Sequence, residues 1–260
     1  MKFQSLFSGS KGNCSVLQAG NSKILVDCGF SAATIENALK SNGVCPEGIN
    51  AVFVTHEHSD HIGGLSSFCA RHKNVEVFVH ESSEFYIQKI LPSGSKLNTF
   101  NGNTFDYNGL TVSTYDCDHD SAHCSGFKFL HDGVSVAVVT DLGRATEGLF
   151  DFVKGCSLLL LESNHDEKML AGGSYPFPLK KRIASSCGHL SNRQAGEILQ
   201  RLPELEVRNV WLGHLSLKNN TPEIAFQSAV TALKEKQITE GQDIFVSIVG
   251  QFAASKIFGN

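Results

Sequence analysis

Three histidines and two acids fall within six residues, His56 to His61, in the run VFVTHEHSDHIGGL that begins at Val52. Imidazole and carboxylate groups at this density suit divalent metal ions. The competing interpretation is a polar loop whose histidines coincide by chance, and spacing argues against it. His56 and His58 are two apart in what reads as extended chain, so both side chains leave on the same side. Ser59 is a good N-cap, and a helix from Asp60 to about Arg71 would project Asp60 and His61 from its first turn. One zinc site closes at four ligands, whereas a strand, loop and helix offer two divergent ligand pairs. The pattern points to two metals and demands further ligands from elsewhere in the chain.

Groups of the right type recur at one kind of place. Ala51 to Val54 is apolar, rich in β-branched residues, and reads as a buried strand. Asp27, His56, Asp141, Glu162 and His214 each follow such a run. Sites in α/β folds collect at the carboxyl ends of strands, so five polar side chains on five strand ends describe one cleft.

The elements that must position them are legible in outline. Phe3–Phe7, Ser15–Ala19 and Lys23–Val26 form a β-meander, followed by a helix over Ser31–Ser41. Strands over 75–79, 97–100, 103–107, 110–115, 126–131, 134–139, 158–161, 207–212 and 244–249 alternate with helices over 82–91, 145–154, 179–186, 192–202 and 222–236. KILVDCGFSAATIENAL and VAVVTDLGRATEGLFDF are alike, each a strand, then Asp-x-Gly, then a helix. This is either a trace of duplication or ordinary strand-to-helix chemistry. No low-complexity linker divides the chain, so residues 1–260 read as one domain with two sheets and outer helices.

HEHSDH behind an apolar strand resembles the metallo-β-lactamase superfamily, which implies an α/β fold, a four-layer αββα sandwich. The resemblance implies one metal held by His56, His58 and His119, a second held by Asp60, His61 and His214, and Asp141 bridging them. His123 rivals His119 in the same loop; pattern favours His119. Asp27 either orients a ligand histidine from behind or only forms the turn before Gly29. LLLLESNHD and CGHLSN are similar to stretches of tRNA 3′-processing nucleases, in which a Glu-His pair assists the leaving oxygen; here that pair would be Glu162 and His189. The long arm those enzymes insert to grip tRNA is missing. SGSKGN, THEHSDHIGGL, ESNHD, YPFPLKKRIASSCGHLSN and GHLSLKNN, in this order, resemble the YycJ/WalJ family of bacterial metallohydrolases, described as DNA exonucleases working from the 5′ end. The implied activity is two-metal phosphodiester hydrolysis by a hydroxide held between the ions. Asp60, Glu162 and His189 are the catalytic candidates. The implied cofactors are two divalent ions per chain, zinc first, with manganese or iron as alternatives.

Composition sets the surroundings. The 260 residues carry a net charge of −4, which excludes global attraction to nucleic acid but not a local basic patch. Lys180, Lys181, Arg182 and Arg193 are such a patch, suited to phosphates or simply a solvated helix face. Tyr175 and Phe177 could stack on bases or pack against the neighbouring prolines. SGSKGNC could present N–H groups to a phosphate or form a plain hairpin turn. The partner expected is nucleic acid, DNA before RNA. No apolar run reaches membrane-spanning length, the start does not read as a signal peptide, and the eight cysteines form no CxxC pair. A cytoplasmic protein with reduced thiols is expected. The same cleft could instead serve small thioesters or lactones, or a metal could have a purely structural role. The basic run and the Glu162/His189 pair weigh against the first, and ligand positions left open to water weigh against the second.

Overall fold

Neighbouring residues of one strand take opposite sides here. Leu158 and Leu160 enter one buried cluster, and Leu159 and Leu161 another. Ala51 and Phe53 likewise part from Val52 and Val54. A strand apolar on both faces must be covered on both, and the layers follow from that requirement.

The computed structural model describes residues 1–259. The first sheet runs in spatial and chain order through β1 (Lys2–Phe7), β2 (Cys14–Ala19), β3 (Ser22–Val26), β4 (Ala51–Phe53), β5 (Glu76–His80) and β6 (Lys96–Phe100). The second contains β7 (Thr104–Tyr107), β8 (Leu110–Cys117), β9 (Cys124–His131), β10 (Val134–Val139), β11 (Leu158–Glu162), β12 (Asn209–Gly213) and β13 (Phe245–Ile248). Each sheet opens as an antiparallel meander and continues as parallel strands, from β3 in the first and from β10 in the second. The helices are α1 (Ala32–Ser41), α2 (Ser59–Ile62), α3 (Leu65–Arg71), α4 (Glu84–Ile90), α5 (Glu147–Val153), α6 (Glu167–Gly172), α7 (Phe177–Ile183), α8 (Asn192–Leu199) and α9 (Pro222–Glu235).

One core lies between the sheets. Phe53 stacks on Phe78 at 4.7 Å and meets Tyr107, Phe127 and Phe129 edge-on. Truncating so central a ring to Ala typically costs about 3–5 kcal/mol. A second core joins the first sheet to α1, α3 and α4, and a third joins the second sheet to α5, α8 and α9. The result is the four-layer αββα sandwich.

Two local expectations change. The helix expected over 60–71 is two helices with His58, not Ser59, at the first cap. Gly63 and Gly64 break it because that segment packs on the turn after β3: a Cβ on Gly64 would stand 1.8 Å from the Phe30 carbonyl oxygen. α6 adds to the expected helices; it is short, and the Asp166 side chain caps it by accepting from Met169 N.

Candidate active site

Three strand ends bend in an unusual way. Asp27, Asp141 and His214 have φ of 64°, 60° and 54°. The left-handed region costs an L-residue on the order of 1–2 kcal/mol, a strain that recurs where side chains must be aimed. Asp27 follows β3, Asp141 lies two residues past β10 and His214 follows β12, so the bends turn side chains from both sheets toward one edge.

Hydrogen bonds then set the tautomer of each histidine. Thr55 donates its hydroxyl to Asp27 Oδ2 (2.9 Å), and its oxygen accepts from His56 Nδ1 (3.0 Å). His61 Nδ1 donates to Asp27 Oδ2 at 2.7 Å. His119 Nδ1 donates to the Gly188 carbonyl at 3.0 Å, and His214 Nδ1 to Glu162 Oε1 at 2.6 Å. In all four rings Nδ1 is engaged, which turns Nε2 toward the cluster; His61 Nε2 also meets Asn13 Nδ2 at 3.0 Å. His58 is turned the other way, its Nδ1 3.2 Å from His119 Nε2.

The atoms so presented converge. His56, His58 and His119 could hold one ion, and Asp60, His61 and His214 another. Asp141 stands between, Oδ2 at 3.1 Å from His61 Nε2 and Oδ1 at 3.7 Å from His119 Nε2. His56 Nε2, His214 Nε2 and Asp141 Oδ2 are buried without a hydrogen-bond partner among the described residues. Orphaned buried polar atoms are rare, and three around one point fit a divalent cation. Charge agrees. Burial should keep His61 and His214 neutral, yet Asp141 with Asp27 and Asp60 holds His61 well above its ordinary range, and Asp141 with Asp60 and Glu162 raises His214 to about 10. Burial likewise opposes ionised Asp141, but His214 and His61 hold it far below the usual carboxylate range. The cluster keeps protons where metal charge would otherwise sit.

Glu162 has more partners than a single histidine. Its Oε1 accepts from both His189 Nδ1 (2.9 Å) and His214 Nδ1 (2.6 Å), and its Oε2 accepts from the backbone of Leu142 and Leu190. His189 lines a cavity of about 350 Å³ with Asp60, Asp141, His214 and Arg182. Burial lowers its proton affinity, but Glu162 and then Asp141 more than restore it.

The other expected residues separate. His123 is away from the cluster, stacked on His80 at 3.5 Å and 3.4 Å from Asp116. Of the four basic candidates only Arg182 lines the cavity, where it forks onto Asp120. Lys180, Lys181 and Arg193 border a different groove. SGSKGN is a brace: Asn13 takes Gly9 N on its Oδ1, and its backbone N–H donates to the Asp60 carbonyl. Thr55 and Asn13 carry positioning roles that spacing alone does not reveal, though Thr55 opens THEHSDHIGGL and Asn13 closes SGSKGN. Asn164, which donates to the His214 carbonyl at 2.9 Å, is a third.

Two sheets with a histidine- and aspartate-lined cleft at their common edge define a metal-dependent hydrolase of the metallo-β-lactamase fold. Residues 22–215 match the β-lactamase superfamily domain. The chain is 32% identical over 252 residues to exodeoxyribonuclease WalJ of Streptococcus pneumoniae serotype 2, covering 94% of this chain and 93% of that protein. It is 31% identical over 245 residues to exodeoxyribonuclease YycJ of Bacillus anthracis, covering 93% and 92%. The metallo-β-lactamase fold protein YhfI from Bacillus subtilis shares the fold, with a TM-score of 0.76 at 18% identity over 98% of this chain and 99% of that one. The chain belongs to the WalJ/YycJ family of the β-lactamase superfamily.

Proposed function

We propose that the chain is a two-metal exodeoxyribonuclease that degrades DNA from the 5′ end, acting as one unit over residues 1–260 in the cytoplasm. Supporting this are the exodeoxyribonuclease names of both full-length relatives and one feature of the cleft, the Glu162–His189 pair beside the candidate ligands. His56, His58 and His119 would hold one ion and Asp60, His61 and His214 the other, with the Asp141 carboxylate within reach of both groups. Zinc suits the donor set, and manganese or iron would also fit. Divalent ions bound there supply an activated water and charge neutralisation at phosphorus.

The protein's own part is positioning and proton transfer. Glu162 fixes His189 with Nδ1 protonated, and its charge favours the imidazolium. Nε2 of His189 then carries a proton on the cavity side and gives it to the departing sugar oxygen. Arg182, held by Asp120, receives a phosphate beside the cleft. Asp27, through Thr55 and His61, keeps two ligand rings aimed.

The test compares leaving groups. General acid assistance is worth about 10²–10⁴-fold, and a nitrophenolate departs without it. His189→Ala therefore keeps both metals by elemental analysis, loses most activity on end-labelled DNA and loses far less on bis(4-nitrophenyl) phosphate. Equal losses on both substrates with metals retained would reduce His189 to a positioning residue; lost metal would make it a ligand. Because Glu162 also orients His214, Glu162→Ala loses metal as well.

A further inference from the structure

Helix α7 has two working faces. Leu179, Arg182 and Ile183 line the metal-side cavity, while Phe177, Lys180, Lys181 and Ala184 line a groove of about 660 Å³ on the other side. The two hollows stand back to back elsewhere as well. Asn164 lines the first and His165 the second; His189 lines the first and Ser191 the second. A β-bridge between His165 and Ser191, with Asn164 N donating to Leu190 O at 2.9 Å and Asn192 N to His165 O at 2.8 Å, holds this partition together. A strand leaving the cleft has only to cross α7 to reach the groove.

The groove has the makings of a binding site. Phe177 is 77% exposed at its border. Among the described residues Glu167 is the one lining carboxylate, engaged by Arg193 at 3.0 Å and Ser191 Oγ at 3.1 Å; Arg193 is also paired with Glu197, while Lys180, whose Nζ donates to the Ala171 carbonyl at 2.6 Å, and Lys181 meet no carboxylate. His165 is only 2% exposed, lines the groove, and has no partner for Nδ1 among the described residues. A buried imidazole atom left unmet is the exception that needs a ligand or water. The volume lies within the roughly 300–1,000 Å³ range of sites for small ligands.

We infer that this groove binds the single-stranded nucleic acid that continues past the scissile phosphate, one base stacked on Phe177 and packed over His165, its backbone phosphates beside Lys180 and Lys181. The inference rests on the nuclease reading above and gives the substrate a second point of attachment. Stacking on a ring tolerates any base, and lysines attract phosphate in a salt-dependent way. An exonuclease gains from such a site because it holds the strand without reading its sequence.

The experiment uses the full metal-loaded chain with three probes: dithymidylate, hexathymidylate and bis(4-nitrophenyl) phosphate, which fills only the cleft. Phe177→Ala removes the stacking ring. Ala184→Glu, at an exposed position, puts negative charge into the groove without touching the cleft. The wild type is expected to bind the hexamer about 10-fold or more tighter than the dimer, the worth of one stacked base. Both variants lose most of that gain and keep nitrophenyl turnover unchanged, and Lys181→Ala lowers the salt slope of hexamer binding by about 1. A length gain retained in both variants overturns the groove, and so does a parallel loss on hexamer and nitrophenyl diester. Binding is read by anisotropy apart from cleavage, so the two ideas fail separately. Hexamer held by the groove and never cut sinks the nuclease reading alone; hexamer cut with both variants unaffected sinks the groove alone. A wild type that neither binds nor cuts it ends both.

Discussion

The turn after β3 and the turn after β10 are built alike and do different work. Each strand is the first of its sheet's parallel run, each is followed within two residues by an aspartate with φ near 60°, and each Asp-x-Gly leads toward a helix. Both glycines admit a backbone that any side chain would exclude. A Cβ on Gly29 would stand 1.9 Å from the Asp60 carbonyl oxygen, and one on Gly143 would stand 2.3 Å from Ser186. The first turn thereby docks the helix that carries Asp60 and His61, and the second docks the loop that carries His189. The carboxylates differ. Asp27 spends both oxygens on protein, accepting from Thr55 N and Oγ and from His61. Asp141 keeps Oδ2 without a hydrogen bond to any described residue, in the middle of the histidines. One turn geometry therefore yields a bracket when its acid meets donors, and a centre when its acid meets only ligand rings.

Exchanging the acids for amides tests the contrast most severely. Asp141→Asn removes the carboxylate charge that lies between the two candidate metal groups, so on the two-metal proposal activity is expected to fall by more than about 100-fold, the upper end for lost outer partners. Metal content should fall with it while the circular dichroism spectrum is retained. One tightly held ion in a fully active variant would remove Asp141 from the centre. Asp27→Asn should be milder, about 10–100-fold in metal affinity, because Thr55 and His61 lose their aim but no ligand disappears. An effect as large as that of Asp141→Asn would mean the two aspartates are not bracket and centre.

The smallest expected effect is in protons. Asp141 with Asp27 and Asp60 raises His61, and Asp141 with Asp60 and Glu162 raises His214 to about 10. His214 therefore carries a proton at pH 7.5, and ligation needs it neutral. Metal uptake should therefore release about one proton from His214, and apparent affinity should fall as pH falls. Calorimetry in two buffers of different ionisation enthalpy measures this; identical heats would show that the ring is already neutral.

Local chemistry is legible in the amino-acid sequence. HEHSDH follows an apolar strand, and Asp27, Asp141, Glu162 and His214 follow others, because side-chain type and a period of two are properties of the chain itself. Both sheets and most helices come from the same periodicities. What periodicity does not supply is contact between distant residues. The break between α2 and α3 depends on the backbone of Phe30, more than thirty residues away in the chain. α6 is too short for an apolar stripe to announce it.

The same limit divides the candidate site. Residue types and spacing determined which side chains could bind metal and that they would sit at strand ends. Tertiary structure decided that His119 and not His123 enters the cluster, since only the first finds the Gly188 carbonyl behind it. It decided that Glu162 clamps His214 as well as His189, because β11 and β12 run parallel in register and bring the two strand ends together. It also split the run Lys180 to Arg182 between two hollows, since consecutive residues on a helix point some 100° apart and α7 lies on the wall between them.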